Sequence, residues 1–172
     1  YGHKEGVKAI DKIVSACSIR QISQLSLFAL SSENLNRPDY EVQFLLKLFE
    51  DSINKYINDL HSNNARIKFI GNLELFSPRL LKTISKAEKV TKDNTGLKLN
   101  FAINYGGQWD IVNAVNNMIG DTDFPSKIKK FSVEDLEKYL SLEGSSPDLL
   151  IRTAGEQRLS NFMLWQHAYT EL

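Results

Sequence analysis

Strand-like segments alternate with helical patterns along this chain, and that alternation limits the folds it can adopt. The strand-like segments occupy residues 25–30, 66–70, 97–105 and 149–151, and apolar residues predominate in each. Each segment is interpreted as a strand and is followed by a polar residue or a glycine. Strands that alternate with helices form parallel sheets through right-handed crossovers, with helices on both faces. The sequence therefore predicts an α/β fold, a three-layer α/β/α sandwich with a mostly parallel central sheet.

Helices are predicted in the segments between these runs, where apolar residues recur three and four positions apart. Ser77 before Pro78 is typical of a helix start, because serine caps the first turn and proline fits into it. Ser132 with Asp135 forms the pattern of a capping box. The predicted helices begin near residue 4, at Pro38, after Ser77, near Trp109 and after Ser132.

Composition and charge exclude several classes of function. The chain has 172 residues, with 21 Lys and Arg against 21 Asp and Glu. This length suits one domain with a buried core, and the balanced charge provides no field that would hold nucleic acid or an anionic membrane. The single Cys17 excludes an internal disulfide and is typical of a reducing compartment. No apolar run is long enough to span a membrane and no signal peptide is recognisable, so we expect a cytoplasmic, single-domain protein.

Two arginines near the carboxyl end predict an anion site. Arg152 directly follows the apolar run 149–151, and Arg158 and Ser160 come shortly after it. Ligands of open α/β sheets bind beyond the carboxyl ends of the strands. Guanidinium groups match phosphate oxygens, and Ser160 heads an apolar-striped segment where a helix N-terminus would add N–H donors. The alternative is that both arginines pair with acidic neighbours at the surface.

Polar residues and glycine also follow two other predicted strands. Ser31, Asn34 and Arg37 come after the first strand, and Gly106 comes after the third. If the strands are parallel, these loops and the loop at Arg152 lie at the same rim of the sheet. Polar loop residues without a shared role would instead be scattered over both rims.

Five segments of the chain carry a family pattern in a fixed order. They are residues 2–6, 30–38, 69–72, 94–107 and 152–172. Together they resemble the cis-prenyltransferase family, and in particular its bacterial members that make undecaprenyl diphosphate. One such segment would be unspecific, whereas five in order over nearly the whole chain are specific.

The resemblance implies an activity, a cofactor and partners. It implies successive condensation of isopentenyl diphosphate onto an allylic diphosphate, farnesyl diphosphate, with each new double bond cis. The implied product is undecaprenyl diphosphate, the lipid carrier precursor for cell-wall polysaccharide and so for peptidoglycan. The family also implies Mg²⁺, a homodimer, and at most peripheral membrane association through the lipid product. We interpret the run Tyr105-Gly106-Gly107 as a place of close backbone packing at a strand end, although glycine also allows a substrate to approach.

The resemblance further implies roles for residues of the predicted anion site. Arg152, Arg158 and Ser160 are expected to clamp isopentenyl diphosphate, with Glu156 in the substrate site beside them. Glu156 and Glu171 resemble the acidic pair of the family, which binds magnesium or holds the arginines. Glu171 is expected to be a metal ligand, together with an aspartate in an N-terminal loop of the family; the alternative is a solvated carboxylate at a helix end. A straight helix would hold Glu171 about 16 Å from Ser160. Both can therefore touch one ligand only if the chain folds back or a second subunit contributes.

The other implied site residues lie earlier in the chain. His3 is expected to assist the leaving diphosphate and, with Ser31 and Asn34, to act in catalysis and substrate binding. Arg37 is expected to bind substrate from the same mobile loop; without the family, this loop would be interpreted as a turn before a helix. A stripe on that next helix faces either the core or a tunnel for the growing chain, and its residues are Glu41, Phe44, Leu45 and Leu48.

The sequence departs from the family pattern in several places. Leu35 stands where tryptophan is common, and Ala154 stands where glycine is commoner. The family's opening strand with its Asp-Gly-Asn-Gly-Arg-Trp phosphate loop and its closing aromatic-rich strand are not within these 172 residues. We expect the full gene product to supply both and the segment alone to be inactive. Two other functions stay open, a non-catalytic partner subunit of a cis-prenyltransferase and a diphosphate-binding regulatory domain.

Overall fold

Strands and helices alternate in the computed structural model of the chain. It describes residues 2–36, 38–122, 130–142, 146–153 and 155–172, with the side chains of residues 2–8 and 36 outside the description. The strands are β1 (Gln24–Ser31), β2 (Arg66–Ile70) and β3 (Lys98–Tyr105), and the helices are α1 (Gly2–Ile19), α2 (Asp39–Ser62), α3 (Pro78–Thr91), α4 (Gly107–Gly120) and α5 (Val133–Glu137). None of these described helices has the length and apolar character that a membrane span requires.

The chain divides into two compact units, Tyr1–Asn104 and Tyr105–Leu172. The first unit contains α1 to α3 and most of the sheet, and the second contains α4, α5 and the C-terminal segment. The prediction of one catalytic domain over residues 1–172 stays a prediction.

The described strands form a sheet in which β3 lies between β1 and β2. β2 and β3 are parallel, with Arg66 opposite Lys98 and Ile70 opposite Ala102. Parallel neighbours need a crossover connection, and α3 provides it. The predicted α/β fold with a parallel central sheet is confirmed.

An apolar cluster on β3 forms the core of the first unit. Leu99, Phe101 and Ile103 alternate along the strand and therefore share one face, with Leu99 and Ile103 buried. The ring of Phe101 stacks on that of Phe69 with 5.4 Å between centroids, and Phe49 of α2 meets both rings edge-on. Full burial of a phenylalanine ring, as at Phe69, contributes about 1.5–3 kcal/mol, and the half-buried rings of Phe49 and Phe101 contribute less. These contacts hold α2 against the sheet.

Side chains of α3 satisfy main-chain donors of β2. The N–H of Ile67 donates to Thr91 Oγ1 at 3.0 Å, and the N–H of Phe69 donates to Glu88 Oε1 at 2.8 Å. α3 itself begins as predicted, because Ser77 Oγ accepts the N–H of Leu80. The edge of β2 is thereby covered by a helix.

The loop after β2 is fastened to the end of β3. Gly71 has φ +126°, and a Cβ there would lie 1.9 Å from the main-chain O of Ile103. Only glycine fits this approach. Asn72 donates its N–H to Asn104 O at 3.1 Å, and Asn104 Nδ2 donates to Asn72 O at 2.7 Å. Because Gly71 has positive φ, the chain leaves the extended conformation there, and β2 ends at Ile70.

A buried carboxylate organises the second unit. Asp110 on α4 is only 1% exposed. It accepts the hydroxyl of Tyr105 at 2.8 Å, the hydroxyl of Ser141 at 2.6 Å and the N–H of Ser141 at 3.0 Å, with Gln166 Nε2 at 3.4 Å. Burial, and then the neighbouring Asp110 charge, raise the pKa of the Tyr105 phenol. The network therefore holds α4 to both chain segments that follow it.

The predicted capping box is confirmed at the start of α5. Ser132 donates its N–H to Asp135 Oδ2 at 3.1 Å, and Asp135 donates its N–H to Ser132 Oγ at 3.3 Å. The two residues thereby satisfy end groups that a helix leaves unpaired. α5 ends at Glu137, which makes it a short helix.

Two predictions near the carboxyl end were wrong in detail. The run 149–151 forms a single parallel bridge, from Leu149 to Glu171, and is no strand of the three-stranded sheet. The expected helix at Ser160 is a series of turns through residue 169. Ser160, Asn161 and Met163 have φ of 48°, 62° and 40°. A right-handed helix needs negative φ, so these residues cannot begin one.

Candidate functional site

Four residues of the predicted anion site lie together in the second unit. Arg152 donates from Nη1 to Ser160 Oγ at 2.7 Å and to the main-chain O of Arg158 at 2.5 Å. Glu156 forms an ion pair with Arg158. We call these four residues the arginine cluster. The structure thus joins Arg152 to Ser160 and to the main chain at Arg158, while the guanidinium of Arg158 pairs with Glu156.

The charges of the arginine cluster are only partly compensated. The side chains of Arg158 and Glu156 are 64% and 42% exposed. An exposed pair of this kind contributes about 0–1 kcal/mol, so a more highly charged anion can readily displace Glu156. Arg152 donates to uncharged oxygens and forms no ion pair with any residue that the structure describes. A phosphate would give both groups charge-assisted hydrogen bonds.

The turn that carries the arginine cluster is packed on the start of α4. Asn161 accepts the N–H of Gly107 with its main-chain O at 2.6 Å and the N–H of Gln108 with Oδ1 at 2.9 Å. A Cβ on Gly107 would lie 2.7 Å from Leu164 Cγ. The interpretation of Gly107 as a close-packing residue is confirmed. The first N–H groups of α4 are occupied by Asn161, so they are not donors for an anion.

Glu171 reaches this region because the chain folds back. Its N–H donates to Asp148 O at 3.2 Å, and Leu150 donates its N–H to Glu171 O at 2.8 Å. Glu171 is exposed and pairs with the segment that leads into Arg152. Across the described ranges, no three His, Cys, Asp or Glu side chains form a group that could hold a metal ion. Glu171 is therefore an exposed carboxylate that belongs to no such group among the described residues, and its role as a metal ligand stays a prediction.

His167 is a buried residue that the sequence did not single out as functional. Thr170 Oγ1 donates to Pro147 O at 2.7 Å, so it accepts from His167 Nδ1 at 3.1 Å, and Nδ1 carries the ring proton. Nε2 is buried and has no hydrogen-bond partner among the described residues. Burial lowers the pKa of this imidazole. The sequence signal that could have identified His167 is the presence of a histidine within the apolar-striped segment that begins at Ser160.

Ser31 and Asn34 lie together in the first unit. Asn34 Oδ1 accepts the N–H of Ser31 at 3.1 Å and its hydroxyl at 3.0 Å. The predicted pair is thus a single hydrogen-bonded group at the end of β1. Arg37 and the side chain of His3 lie outside the described residues.

Asn34 also borders an apolar cavity of about 410 Å³ in the first unit. Its walls come from α1, α2 and the three strands, and include Phe49, Phe69 and Phe101. The stripe predicted as core or tunnel divides here into two groups. Leu45 and Leu48 line the cavity; Phe44, which is 56% exposed, and Glu41 do not.

Comparisons with known proteins agree over the whole chain. The prenyltransferase family model, described as undecaprenyl diphosphate synthase, matches residues 1–172. An isoprenyl transferase of Neisseria meningitidis serogroup A is 44% identical over an alignment of 172 positions, which covers 99% of this chain and 67% of that protein. A ditrans,polycis-undecaprenyl-diphosphate synthase ((2E,6E)-farnesyl-diphosphate specific) of Coxiella burnetii is 46% identical over an alignment of 175 positions, which covers 99% of this chain and 73% of that protein.

The fold comparison agrees with the sequence comparison. The crystal structure of lavandulyl diphosphate synthase from Lavandula x intermedia in complex with dimethylallyl diphosphate matches with a TM-score of 0.92 and 35% identity. The match covers 99% of this chain and 75% of that one. Fold, motifs and relatives lead to one conclusion: the chain belongs to the undecaprenyl diphosphate synthase family of prenyltransferases.

Proposed function

We propose that this protein condenses isopentenyl diphosphate successively onto farnesyl diphosphate, with each new double bond cis, to make undecaprenyl diphosphate. The product would be the lipid carrier precursor for cell-wall polysaccharide. The observation that carries this proposal is the arginine cluster, in which Arg152 contacts Ser160 and the main chain at Arg158, and Arg158 pairs only with an exposed carboxylate. Family membership and the name of the Coxiella relative support the choice of substrates.

The arginine cluster holds the diphosphate of isopentenyl diphosphate in this proposal. Guanidinium groups bind phosphate oxygens in a fixed orientation, which positions the double bond for reaction. In each cycle the allylic C–O bond breaks, diphosphate leaves, and the allylic carbon bonds to the terminal carbon of isopentenyl diphosphate. One proton is then lost from the new unit. Glu156 orients Arg158 before the substrate displaces it.

The Ser31–Asn34 pair handles that proton. The hydroxyl of Ser31 donates to Asn34 Oδ1, so the lone pairs of Oγ remain acceptors. Oγ passes the proton on to the released diphosphate, which is the stronger base. His3 assists the departure of diphosphate as a hydrogen-bond donor, and Arg37 binds substrate from the same loop.

Mg²⁺ is the proposed cofactor. It is commonly held by one or two carboxylates and completes its octahedron with water and substrate phosphates. The single exposed carboxylate of Glu171 fits that chemistry, and we propose an aspartate of the family's N-terminal loop as the second ligand. When bound, the ion supplies positive charge that neutralises phosphate oxygens.

The apolar cavity receives the growing chain in this proposal. Its wall from α2, which includes Leu45 and Leu48, offers the hydrocarbon chain a surface away from water. We further propose a homodimeric, cytoplasmic enzyme that binds no nucleic acid and meets the membrane only peripherally, through its lipid product. Light scattering of the purified gene product tests the homodimer, and fractionation of the source cells tests the cytoplasmic location.

The decisive experiment measures turnover by the full-length gene product with farnesyl diphosphate, isopentenyl diphosphate and Mg²⁺. Arg152→Gln should raise KM for isopentenyl diphosphate with a loss of about 2–4 kcal/mol of binding, because a phosphate charge loses its partner. Arg20→Gln is the control, since Arg20 also donates to a main-chain O but at the end of α1.

Two results would reject this function. Absence of any long-chain product would favour the partner-subunit reading, in which the fold is kept without turnover. Binding of one diphosphate molecule per chain, with no condensation, would favour a regulatory diphosphate-binding domain.

A further inference from the structure

Asn161 joins the arginine cluster to the start of α4. We propose that it is a positioning residue, which fastens the turn carrying Arg158 and Ser160 and so sets the site for isopentenyl diphosphate. This inference rests on the proposed function, because it concerns the same site. It adds a residue that does not itself touch the substrate.

The first support is the backbone conformation of the turn. Asn161 has φ 62° and Ser160 has φ 48°. Asparagine enters this left-handed region more readily than other residues with a side chain. Two consecutive left-handed residues reverse the direction of the chain and keep the segment from continuing as a helix. The turn therefore needs contacts from outside to hold its shape.

The second support is the pair of hydrogen bonds that Asn161 accepts. A helix leaves its first N–H groups without partners inside the helix. The N-cap of α4 is Gly106, which makes no side-chain cap bond. Asn161 takes its place: main-chain O accepts Gly107 N–H at 2.6 Å, and Oδ1 accepts Gln108 N–H at 2.9 Å. One residue of the turn thus caps a helix from another part of the chain.

The third support is the short path from Asn161 to the guanidinium of Arg152. Ser160 precedes Asn161 directly, and its Oγ accepts from Arg152 Nη1 at 2.7 Å. The same Nη1 donates to Arg158 O at 2.5 Å. A shift of the turn would therefore move both acceptors of Arg152. Close contact between Gly107 and Leu164 fixes the turn from its other side.

The chain contains a matched control for this arrangement. Asn64 has φ 58°, its Oδ1 accepts the N–H of Thr95 at 3.0 Å, and its main-chain O accepts the N–H of Gly96 at 3.0 Å. It accepts the same pair of bonds with its side chain and main chain as Asn161, but in the first unit, where it joins the segments that precede β2 and β3. Loss of its side chain should lower stability without changing the arginine cluster.

The test compares Asn161→Gly, Asn64→Gly and Arg152→Gln in the full-length gene product. Glycine keeps the left-handed backbone and removes only the side-chain cap. Titration calorimetry with isopentenyl diphosphate gives the affinity, and steady-state kinetics give KM for each substrate and kcat. We expect Asn161→Gly and Arg152→Gln each to weaken binding of isopentenyl diphosphate by about tenfold or more, because charge-assisted bonds depend on geometry.

The kinetic pattern separates positioning from general damage. For Asn161→Gly, KM for farnesyl diphosphate should change by less than about twofold, and Asn64→Gly should leave both KM values within the same limit. The inference would be overturned if Asn64→Gly weakened the binding of isopentenyl diphosphate as much as Asn161→Gly does. It would also be overturned if the affinity of Asn161→Gly for isopentenyl diphosphate were within twofold of wild type. If Asn161→Gly fails to fold, Asn161→Ser is measured against the same limits. An unchanged affinity in Arg152→Gln would reject the anion site itself, and with it the proposed function.

Discussion

Buried polar groups decide the stability of the second unit, because each must find its partners inside the protein. Asp110 accepts hydrogen bonds from Tyr105 and Ser141, and these partners come from different segments of the chain. A carboxylate without such donors would cost several kcal/mol to bury. Asp110 therefore needs these hydrogen bonds in order to be buried, and the same bonds hold the neighbouring chain segments in place.

Replacement of Asp110 by alanine should lower the free energy of unfolding by about 2–5 kcal/mol, because several buried donors lose their acceptor. Urea denaturation followed by circular dichroism measures this change. Asp93→Asn is the control: Asp93 is an exposed residue in a loose pair with Lys92, and its replacement should change stability by less than about 0.5 kcal/mol. A loss below about 1 kcal/mol for Asp110→Ala would contradict the role given to the network.

His167 makes the stability of the protein depend on pH. Burial lowers its folded-state pKa below the ordinary value of 6.5. As pH falls below that value, the unfolded chain binds a proton that the folded protein still resists, so the free energy of unfolding decreases. Above it, both states are neutral and this residue adds no pH dependence.

We expect His167→Leu to remove this part of the acid destabilisation in urea titrations between neutral pH and the lower, folded-state pKa. His61→Gln is the control variant, because it retains His167 and alters an exposed histidine. Identical pH profiles for His167→Leu and wild type would contradict the prediction. The measurement is the free energy of unfolding at each pH.

The helices and strands of the first unit follow from hydrophobic spacing and local end signals. β2 was predicted with its observed bounds, and Ser77 begins α3 as expected. The turn at Ser160 was missed because its conformation depends on contacts with α4 that are distant in sequence. An apolar stripe alone does not distinguish a helix from a compact series of turns.

An ion pair between α2 and α3 is a further long-range contact. Glu50 has a side chain only 11% exposed and accepts from Arg79 Nε at 2.7 Å. Arg79 is 78% exposed, so solvent screens the pair and reduces its contribution. Phe49, the neighbour of Glu50, packs on the aromatic cluster of the sheet. The pair therefore ties α2 to α3 next to the residue that packs on the aromatic cluster.

Arg79→Ala should destabilise the protein by about 1–2 kcal/mol, because Glu50 would keep a mostly buried charge without its partner. Lys92→Ala is the matched control, since it breaks only an exposed pair at 3.9 Å. Thermal denaturation of both variants and of the Glu50→Gln/Arg79→Ala double variant measures the coupling. Equal destabilisation by Arg79→Ala and Lys92→Ala would contradict a stabilising role for the pair of Glu50 and Arg79.

The chain combines the arginine cluster and an apolar cavity, and sequence predicts these two features unequally. The grouping of Arg152, Arg158 and Ser160 could be predicted because the three residues lie within nine positions of one another, whereas their binding of an anion stays a prediction. The cavity could not be predicted, because Leu45, Leu48 and the buried core residues belong to one apolar class. Only packing shows which of them leave space. Phe44 illustrates this limit: as an apolar residue it could line the cavity, but in the structure its side chain is exposed at the surface.

A larger side chain in the cavity should shorten the product. Ile53→Trp adds volume to the wall formed by α2, so the growing chain would reach its limit after fewer additions. Phe44→Trp adds similar bulk at an exposed position outside the cavity and should leave product length unchanged. Chromatography of dephosphorylated products gives the length distribution. An unaltered distribution in a folded Ile53→Trp variant would show that the chain grows elsewhere.

The hydrogen bonds from β2 to α3 also bear on self-association. Exposed strand edges recruit strands of other molecules and so initiate aggregation. Here a recruiting strand would first have to displace Thr91 and Glu88 from the amides of Ile67 and Phe69. Replacing those two polar side chains would open the protein to intermolecular β-pairing, even where the monomer still folded.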